Sequence, residues 1–491
     1  MAQGHIIPMM DIARLLAQRG VIVTIFTTPK NASRFSSVIS RAVSSGLQIQ
    51  PIQLHFPSQE VGLPEGCENF DMVTSEHMHK FFSAISMLQK PVEELFESLT
   101  PKPSCIISDF CIPWTIRVAE KYHIPRISFH GFCCFSLHCL HQISSSKICE
   151  SLTSESEYFT IPGIPDQIQV TREQTPLLNS NASKMYDFME QLGDAEMKSY
   201  GIIINTFEEL EEAYVKDYKK VKNDKVWCIG PVSLCNKDAL DKAQRGNLAS
   251  INEHHCLKWL DSHQPKSVIY VCFGSLCNLI PSQLVELALA LEDAKRPFVW
   301  VIREGSRLQE LEKWIREQRF EERTKGRGLI IRGWAPQVLI LSHPAIGGFL
   351  THCGWNSTLE GVTAGVPMVT WPLFADQFLN EKLVTQVLKI GVSVGAEVPL
   401  KWAEEEKLGV LVKKEKIKRA ICMVMDDGEE ESKDRRQRAC KLGEIAKRAV
   451  EKGGSSNANM TLFIEEIMQQ SSKSEEPIKF MPKHSEFTCS T

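Results

Sequence analysis

Predominantly apolar runs alternate along the chain with stretches of helical periodicity. In the first half the runs cover 21–28, 104–110, 124–130 and 201–207. Strands that are apolar on both faces are typical of parallel sheets covered by helices on both sides. Strands separated by helices in this way predict a doubly wound α/β domain.

The second half repeats the pattern, with helical stretches such as 281–292 between its apolar runs. These runs are 267–275, 297–302, 328–334, 346–352 and 366–372. The sequence therefore predicts two α/β domains, over residues 1–235 and 254–455.

The polar, weakly periodic segment 236–253 separates the two halves and predicts a linker. The charged run 426–438 predicts the start of a solvated helix, with an interaction patch as the alternative. The polar, patternless segment 471–491 predicts a disordered tail.

Composition narrows the class of protein. The 491 residues are 43% hydrophobic and 24% charged, with a formal net charge of -4. These values are ordinary for a folded globular chain and give no basic surface for nucleic acid. No apolar run is long enough to span a membrane, and the start of the chain lacks the pattern of a signal peptide. We expect neither nucleic acid binding nor membrane insertion.

The 16 cysteines favour a reduced, cytoplasmic protein, because many lie inside apolar runs as small buried residues do. The adjacent pairs Cys133–Cys134 and His352–Cys353 do not have the spacing of zinc ligands. We therefore expect no bound metal.

The segment "WAPQVLILSHPAIGGFLTHCGWNSTLEGVTAGVPMVTWPLFADQ", residues 334–377, carries the candidate chemistry. Its central part predicts a strand, a glycine turn and a helix that opens at Asn356 and Ser357. The free N–H groups and positive dipole of such a helix end suit a phosphate. His352, at the end of the strand, can donate a further hydrogen bond.

Two other residues indicate that the phosphate belongs to a nucleoside diphosphate. Glu360, one turn into the helix, can accept from the paired hydroxyls of a ribose, and Trp334 can stack on a base. Each residue also has a structural interpretation: Ser357 as a helix cap, Trp334 as core, Glu360 as a surface charge and His352 as a satisfied strand-end residue.

As a whole, the segment resembles the 44-residue signature of plant UDP-dependent glycosyltransferases that act on small molecules. The resemblance extends over about residues 2–470, through "MAQGHIIPMMDIA", "SDFCIPWT", "NTFEELE", "GPVSLCN" and "FGSLCNL". It implies the GT-B fold: two Rossmann-like α/β domains that face each other across a cleft, with a last helix, 456–470, that returns to the first domain.

The resemblance also implies a set of donor-binding residues. In this family Trp334 would stack on uracil, Gln337 would contact the uridine and Glu360 would bind the ribose. The remaining members are Ser275, Ala335, His352, Gly354, Trp355, Asn356, Ser357, Asp376 and Gln377.

Within that set, the resemblance assigns the diphosphate to His352, Asn356 and Ser357, with Ser275 as a second phosphate contact. It assigns the sugar to three further residues, of which a final glutamine usually accompanies glucose. These are Trp355, Asp376 and Gln377.

The transfer also needs a base for the acceptor hydroxyl, and imidazole held by a carboxylate is the usual choice. The resemblance assigns these roles to His5 and Asp109. The alternatives are a helix-start histidine without a partner and a strand-end aspartate. The reaction it implies is inverting and independent of metal, with the leaving charge held by His352 and the helix start.

Gly4-His5 stands before a predicted helix like the loop of a strand–loop–helix unit whose strand is missing. Relatives carry about ten more residues that form a central first strand. We therefore expect a truncated form, and hypothesise that restoring the strand improves folding and turnover.

The implied activity is transfer of glucose from UDP-glucose to a lipophilic plant metabolite, because "GLPEGCENFD" and "GPVSLCNK" resemble the branch that acts on triterpenoids or steroids, flavonoids and cytokinins. UDP-glucose serves as co-substrate, no cofactor is expected, and the protein is expected to be a monomer. The alternative is a catalytically impaired nucleotide-sugar binder. A dinucleotide-dependent oxidoreductase is a third possibility, but the chain lacks the G-x-G-x-x-G motif after a strand that such an enzyme would carry.

Overall fold

The structure, a computed structural model, describes residues 2–175, 183–276, 279–303, 308–400, 405–426 and 428–474. They form two α/β lobes, each built around parallel strands. Every apolar run named above contains one strand, because the buried positions of these segments fall on both faces of a sheet.

The N-terminal lobe contains one four-stranded sheet and two pairs of strands. Its strands are β1 (Val23–Thr27), β2 (Ile49–Gln53), β3 (Ile106–Asp109), β4 (Arg126–His130), β5 (Tyr158–Thr160), β6 (Gln169–Thr171), β7 (Gly201–Ile204) and β8 (Val226–Cys228). The sheet has the order β3-β4-β7-β8 and is parallel throughout. β1 and β2 form a separate parallel pair, and β5 and β6 an antiparallel one. Among the described residues, β4 is buried at every position, whereas β1 is half-buried throughout.

Helices cover this lobe and connect its strands. They are α1 (Gln3–Ala17), α2 (Pro29–Ser44), α3 (Met78–Met87), α4 (Gln89–Ser98), α5 (Thr115–Lys121), α6 (Cys134–Ser146), α7 (Ser183–Lys198) and α8 (Glu212–Val221). Short 3-10 turns lie at 70–72, 75–77, 148–151, 172–174, 208–210 and 232–235.

The C-terminal lobe is a six-stranded parallel sheet in the order β11-β10-β9-β12-β13-β14. The strands are β9 (Val268–Cys272), β10 (Phe298–Ile302), β11 (Gly328–Arg332), β12 (Ile346–Thr351), β13 (Met368–Thr370) and β14 (Gly391–Ser393). The helices from the linker onward are α9 (Ala239–Ala243), α10 (Glu253–Asp261), α11 (Pro281–Asp293), α12 (Leu308–Glu317), α13 (Phe320–Arg323), α14 (Gln337–Leu341), α15 (Trp355–Ala364), α16 (Gln377–Lys382), α17 (Glu405–Leu408), α18 (Lys414–Met425) and α19 (Glu430–Val450). A π-helical turn at 383–387 follows α16.

A last helix, α20 (Ser455–Ser474), lies on the N-terminal lobe. The ring of Phe463 packs edge-on against Trp227 of β8, with centroids 5.2 Å apart. Nζ of Lys225 lies 2.6 Å from Oε1 of Glu466. The tail predicted from residue 471 begins inside this helix, and its remainder, 475–491, lies outside the described residues.

Two local features differ from the sequence expectations or refine them. His5 lies in the first turn of α1 and not in a loop before it. The predicted linker contains a short helix, α9, whose N-terminus is capped by Asp238. No helix in the described residues is both long and apolar enough to cross a membrane.

Candidate active site

His5 and Asp109 form a hydrogen-bonded pair at the mouth of the N-terminal lobe. Nδ1 of His5, in the first turn of α1, lies 2.6 Å from Oδ2 of Asp109, the last residue of β3. The second carboxylate oxygen accepts from the backbone N–H of Cys111 at 2.8 Å. The side chains are 26% and 12% exposed, so the pair is sheltered but reachable. The carboxylate fixes the imidazole so that Nε2 is the free nitrogen.

His5 and Asp109 shift each other's pKa. Burial lowers the pKa of His5, but the charge and hydrogen bond of Asp109 outweigh it and leave that pKa above its ordinary value. Burial raises the pKa of Asp109, but His5 outweighs it and brings that pKa to about 2. Asp109 is therefore an anion near neutral pH, ready to stabilise a protonated imidazole.

The free edge of the His5 ring lies over the backbone of Gly131. A Cβ built on Gly131 would stand 3.3 Å from Nε2 of His5, so a side chain there would crowd the nitrogen that must meet a substrate. The ring of Phe110 lies 5.9 Å from that of His5 and stacks on His130 at 4.8 Å. Phe132 extends this aromatic wall.

Cys111 also approaches the pair. Its Sγ and the ligand-type atoms of His5 and Asp109 all lie within 4.8 Å of one another, and no other such group of three occurs among the described residues. Nδ1 of His5 and Oδ2 of Asp109 already bond each other at 2.6 Å, so a cation would have to break that bond. The imidazole and the carboxylate therefore bond each other, as the predicted base and its partner would.

The predicted diphosphate cradle lies at the start of α15, whose N-cap is Gly354. Its first N–H groups have no partner within the helix, which is the general condition for anion binding. Cys272 of β9 pairs in register with Thr351 of β12. The segments that follow these two strands, with Ser275 in one and His352 in the other, therefore emerge at the same edge of the sheet.

His352 is held between two glycines. A Cβ on Gly274, where φ is +72°, would lie 2.5 Å from the imidazole, and one on Gly354 would overlap it. Burial lowers the pKa of His352 to about 4, so the ring is neutral near pH 7. Its Nδ1 is buried and has no partner among the described residues. The ring nitrogen on the side of Gly354 and the α15 start is Nε2, so Nε2 and not the buried Nδ1 is the atom that would meet a phosphate oxygen there.

Asn356 connects the cradle to the other lobe. Its Nδ2 donates to the carbonyl of Gly4, next to His5, and its Oδ1 accepts from Asn205 at 3.3 Å. Pro8 stands inside α1, four residues after Gly4. Because proline has no N–H, it leaves the Gly4 carbonyl without its helical partner, and Asn356 supplies one. The predicted base and the predicted phosphate site are thereby brought together.

The predicted ribose carboxylate is buried and fully engaged. Nε2 of Gln337 donates to Oε2 of Glu360 at 2.8 Å and to Oγ of Ser357 at 3.0 Å. The other oxygen of Glu360 pairs with Arg245. The structure thus gathers three predicted residues and adds an arginine that the sequence did not indicate.

Arg245 belongs to the linker and bridges both lobes. It bonds Glu360 with Nη1 and Asp11 of α1 with Nε and Nη2, the last at 2.6 Å. The carbonyl of Arg245 accepts from Nε1 of Trp334 at 3.2 Å, and Ser250 exchanges two further bonds with the Trp334 backbone. The linker therefore orients the predicted base-stacking residue. The buried Ala335 follows directly.

The residues predicted to face the sugar differ in how many of their polar atoms are already bonded within the protein. Burial raises the pKa of Asp376 to about 6. The side-chain oxygen Oε1 of Gln377 accepts from the backbone N–H groups of Leu373 and Phe374, so a ligand would meet the side-chain nitrogen Nε2. The indole of Trp355 is 3% exposed and donates to the carbonyl of Asn205 at 2.7 Å. Its ring is therefore packed inside the protein and bonded to the N-terminal lobe, and it does not face an open site.

Two lobes, each built around a parallel sheet, with the candidate site between them, have the architecture of a GT-B glycosyltransferase. Residues 1–234 match the glycosyltransferase N-terminal domain, and residues 245–412 match the UDP-glucoronosyl and UDP-glucosyl transferases. The chain belongs to the plant UDP-dependent glycosyltransferases, which confirms the resemblance and the predicted fold.

Individual relatives cover nearly the whole chain. UDP-glycosyltransferase 73C25 of Barbarea vulgaris is 56% identical over 96% of this chain and 95% of its own, and UDP-glycosyltransferase 73C3 of Arabidopsis thaliana is 55% identical over the same shares. The crystal structure of Glycyrrhiza uralensis UGT73P12, complexed with glycyrrhetinic acid 3-O-monoglucuronide, superposes with a TM-score of 0.87 at 39% identity, covering 96% of this chain and 95% of that one. Arabidopsis thaliana UGT89C1 complexed with UDP-L-rhamnose gives 0.73 at 30%, covering 95% and 97%.

Proposed function

We propose that this glycosyltransferase transfers glucose from UDP-glucose to a hydroxyl group of a lipophilic plant metabolite of the triterpenoid or steroid, flavonoid or cytokinin type. The reaction is inverting and needs no metal. The protein acts in the cytoplasm as a monomer, with the nucleotide sugar as co-substrate and no further cofactor. The observation that carries the proposal is the contact between Asn356 and Gly4, which sets the His5–Asp109 pair against the cradle.

The chemistry follows from that placement. Nε2 of His5 takes the proton of the acceptor hydroxyl while the acceptor oxygen forms a bond to the anomeric carbon of the sugar. The bond between that carbon and the β-phosphate oxygen breaks on the opposite face, and UDP leaves. Asp109 stabilises the imidazolium, and the start of α15 with His352 takes up the charge on the diphosphate.

The donor assignment rests on two groups. In the family, Glu360 would hold the ribose and Gln377 would favour glucose. Glu360 is paired with Arg245, so we infer that binding of the ribose replaces one bond of that arginine, which keeps its bonds to Asp11. A solved relative at 30% identity binds UDP-L-rhamnose, so other donors belong in the test.

The acceptor class is supported by the surroundings of His5. Phe110, Phe132 and His130 form an aromatic wall beside the base, which suits a lipophilic ring system better than a polar one. The Glycyrrhiza uralensis relative, bound to glycyrrhetinic acid 3-O-monoglucuronide, supports the triterpenoid class.

The test is a screen of purified protein against triterpenoid, steroid, flavonoid and cytokinin aglycones with labelled UDP-glucose, UDP-galactose, UDP-glucuronic acid and UDP-rhamnose. We expect glucose transfer to at least one class, a product of inverted anomeric configuration by NMR, and no loss of rate with EDTA. Binding of UDP without transfer to any acceptor would instead identify a catalytically impaired nucleotide-sugar binder.

A further inference from the structure

Asn380 joins the two lobes beside the predicted sugar-binding carboxylate. It lies on α16, four residues after Asp376, and its side chain is fully buried. Residues four apart are neighbours on a helix surface, and Nδ2 of Asn380 donates to Oδ2 of Asp376 at 2.7 Å.

The Asn380 amide uses its full hydrogen-bonding capacity. Its Nδ2 also donates to the carbonyl of Cys353 at 2.9 Å. Its Oδ1 accepts from Oγ of Ser136 at 2.9 Å and from Sγ of Cys133 at 3.4 Å. Two donors and two acceptor sites are what an amide offers.

The orientation of this amide is determined by its partners. Asp376 and the carbonyl of Cys353 can only accept, so the NH2 group must face them. The oxygen must then face Ser136 and Cys133, whose hydroxyl and thiol can donate. A flipped amide would place its oxygen against two acceptors, so the arrangement has one satisfied state.

The partners lie on different lobes. Cys133 is the N-cap of α6 and Ser136 lies in its first turn, in the N-terminal lobe. Asp376 and Cys353 belong to the C-terminal lobe. The side chain of Asn380 is therefore a bridge that is complete only when α6 lies against α16.

Asp376 needs such support. It is 6% exposed, and burial disfavours its charged form, which is the form that accepts from sugar hydroxyls most strongly. The N–H of Asn380 favours that charged form and fixes the position of the carboxylate.

We infer that Asn380 is a positioning residue for the sugar: it holds the Asp376 carboxylate in its sugar-accepting orientation, and Ser136 of the opposite lobe holds Asn380. The contact between α6 and α16 is thereby coupled to recognition of the sugar, separately from the Asn356 and Arg245 contacts, which join the lobes at the predicted nucleotide-binding residues. The inference rests on the proposed function, in which Asp376 binds the transferred sugar.

The test compares the affinities for UDP and UDP-glucose by calorimetry, and the kcat and donor KM, for Asn380→Ala, Asn380→Asp, Ser136→Ala and Asp376→Ala. We expect Asn380→Ala to raise KM for UDP-glucose and lower kcat by about ten-fold in total, with the affinity for UDP changed less than about two-fold. Asn380→Asp should be worse, because it sets a second carboxylate against Asp376.

Ser136→Ala is the mild variant, since Cys133 still reaches Asn380, and we expect about a three-fold effect in the same direction. Ser146→Ala is the matched control: this serine is on the same helix, and within the part of the chain that the structure describes its hydroxyl bonds only the carbonyl of Ile143. It should behave as wild type.

Three results would be decisive. Equal losses of UDP and UDP-glucose affinity in Asn380→Ala would overturn the inference, because Asn380 would then stabilise the fold of the lobe without a specific role at the sugar. An unchanged Ser136→Ala beside an impaired Asn380→Ala would overturn the coupling between lobes. Unchanged UDP-glucose kinetics in Asp376→Ala would instead refute the sugar role of Asp376 in the proposed function.

Discussion

The amide of Asn356 donates to the carbonyl of Gly4, so the first turn of the N-terminal helix and the first turn of the cradle helix are directly bonded. Pro8 makes this possible, because it leaves that carbonyl free. The contact joins the side chain of Asn356 to the main chain of Gly4, so His5, the proposed base in the next position, is held beside the proposed phosphate site.

Replacement of His5 with alanine should abolish most of the transfer. We expect kcat to fall by about 10² to 10⁴, the usual contribution of a general base, with the affinity for UDP unchanged. The control is His55→Ala, which removes the histidine of an exposed pair with Glu60, 3.1 Å apart, and should keep full activity. A His5→Ala enzyme that retains its rate would remove His5 from the mechanism.

The rate should depend on pH through His5. A general base must be neutral, and Asp109 raises the pKa of His5; kcat should therefore rise with pH, with a midpoint above the ordinary histidine value of about 6.5. Asp109→Asn removes the charge that favours the imidazolium, so the midpoint should move to lower pH while kcat falls. A pH profile of kcat for both proteins checks this, and an unmoved midpoint would contradict the pairing.

Arg245 and Glu360 should show a large energetic coupling in a double-mutant cycle. Both side chains are about one-tenth exposed, so we expect a coupling of about 0.5–3 kcal/mol in the free energy of unfolding. Arg245→Ala alone should be the costlier single change, because it leaves Asp11 and Glu360 buried without their partner.

The matched control for that cycle is the half-exposed pair Arg323–Glu292, for which the coupling should be about 0–1 kcal/mol. Denaturant unfolding of the four variants of each cycle provides the measurement. Equal couplings in the two cycles would show that Arg245 adds nothing beyond a surface ion pair.

Gly354→Ala should weaken binding of UDP. Its φ of -58° suits any residue, so strain is absent and the effect comes from overlap of the new methyl group with His352. The comparison variant is Gly193→Ala, in α7, where a Cβ would meet nothing within 4 Å. That change should stabilise its helix by up to about 1 kcal/mol and leave UDP binding intact. Calorimetry with UDP and thermal melts distinguish the two, and full affinity in Gly354→Ala would show that His352 does not contact the diphosphate.

Gln377→His should reduce the use of UDP-glucose. A histidine cannot accept from both backbone N–H groups that Gln377 now satisfies at Leu373 and Phe374, so the loop before α16 must shift. We expect the ratio of kcat/KM for UDP-glucose over UDP-galactose to fall. If the ratio stays constant, Gln377 does not select the donor.

The sequence predicted most of the parallel strands, but not β8 or β14, because burial on both faces leaves an apolar run, as in β4 and β12. It did not indicate β2, where only Ile49 is buried, three of five residues are exposed and Pro51 interrupts the pattern. Edge positions of this kind are determined by pairing with a neighbour, here β1, and pairing is not visible in local composition.

The candidate site likewise contains residues that the sequence indicated and residues that it did not. The cradle was readable because its residues lie within one short segment. Arg245 was not, since the linker has no periodicity and its guanidinium acquires a role only through Asp11 and Glu360, 234 and 115 residues away. Asn380 lies just beyond the 44-residue signature, and its meaning depends on Ser136, 244 residues earlier. Gly131 is important because it has no side chain, which leaves space beside Nε2 of His5.

The last helix has a consequence for how the chain matures. Met460, Phe463 and Ile467 of α20 share one core cluster with Ile12 and Trp227 of the first lobe. That core stays unfinished during synthesis until α20, which follows α19 of the second lobe directly, has left the ribosome. Expression of either half as a contiguous fragment would therefore expose this apolar surface.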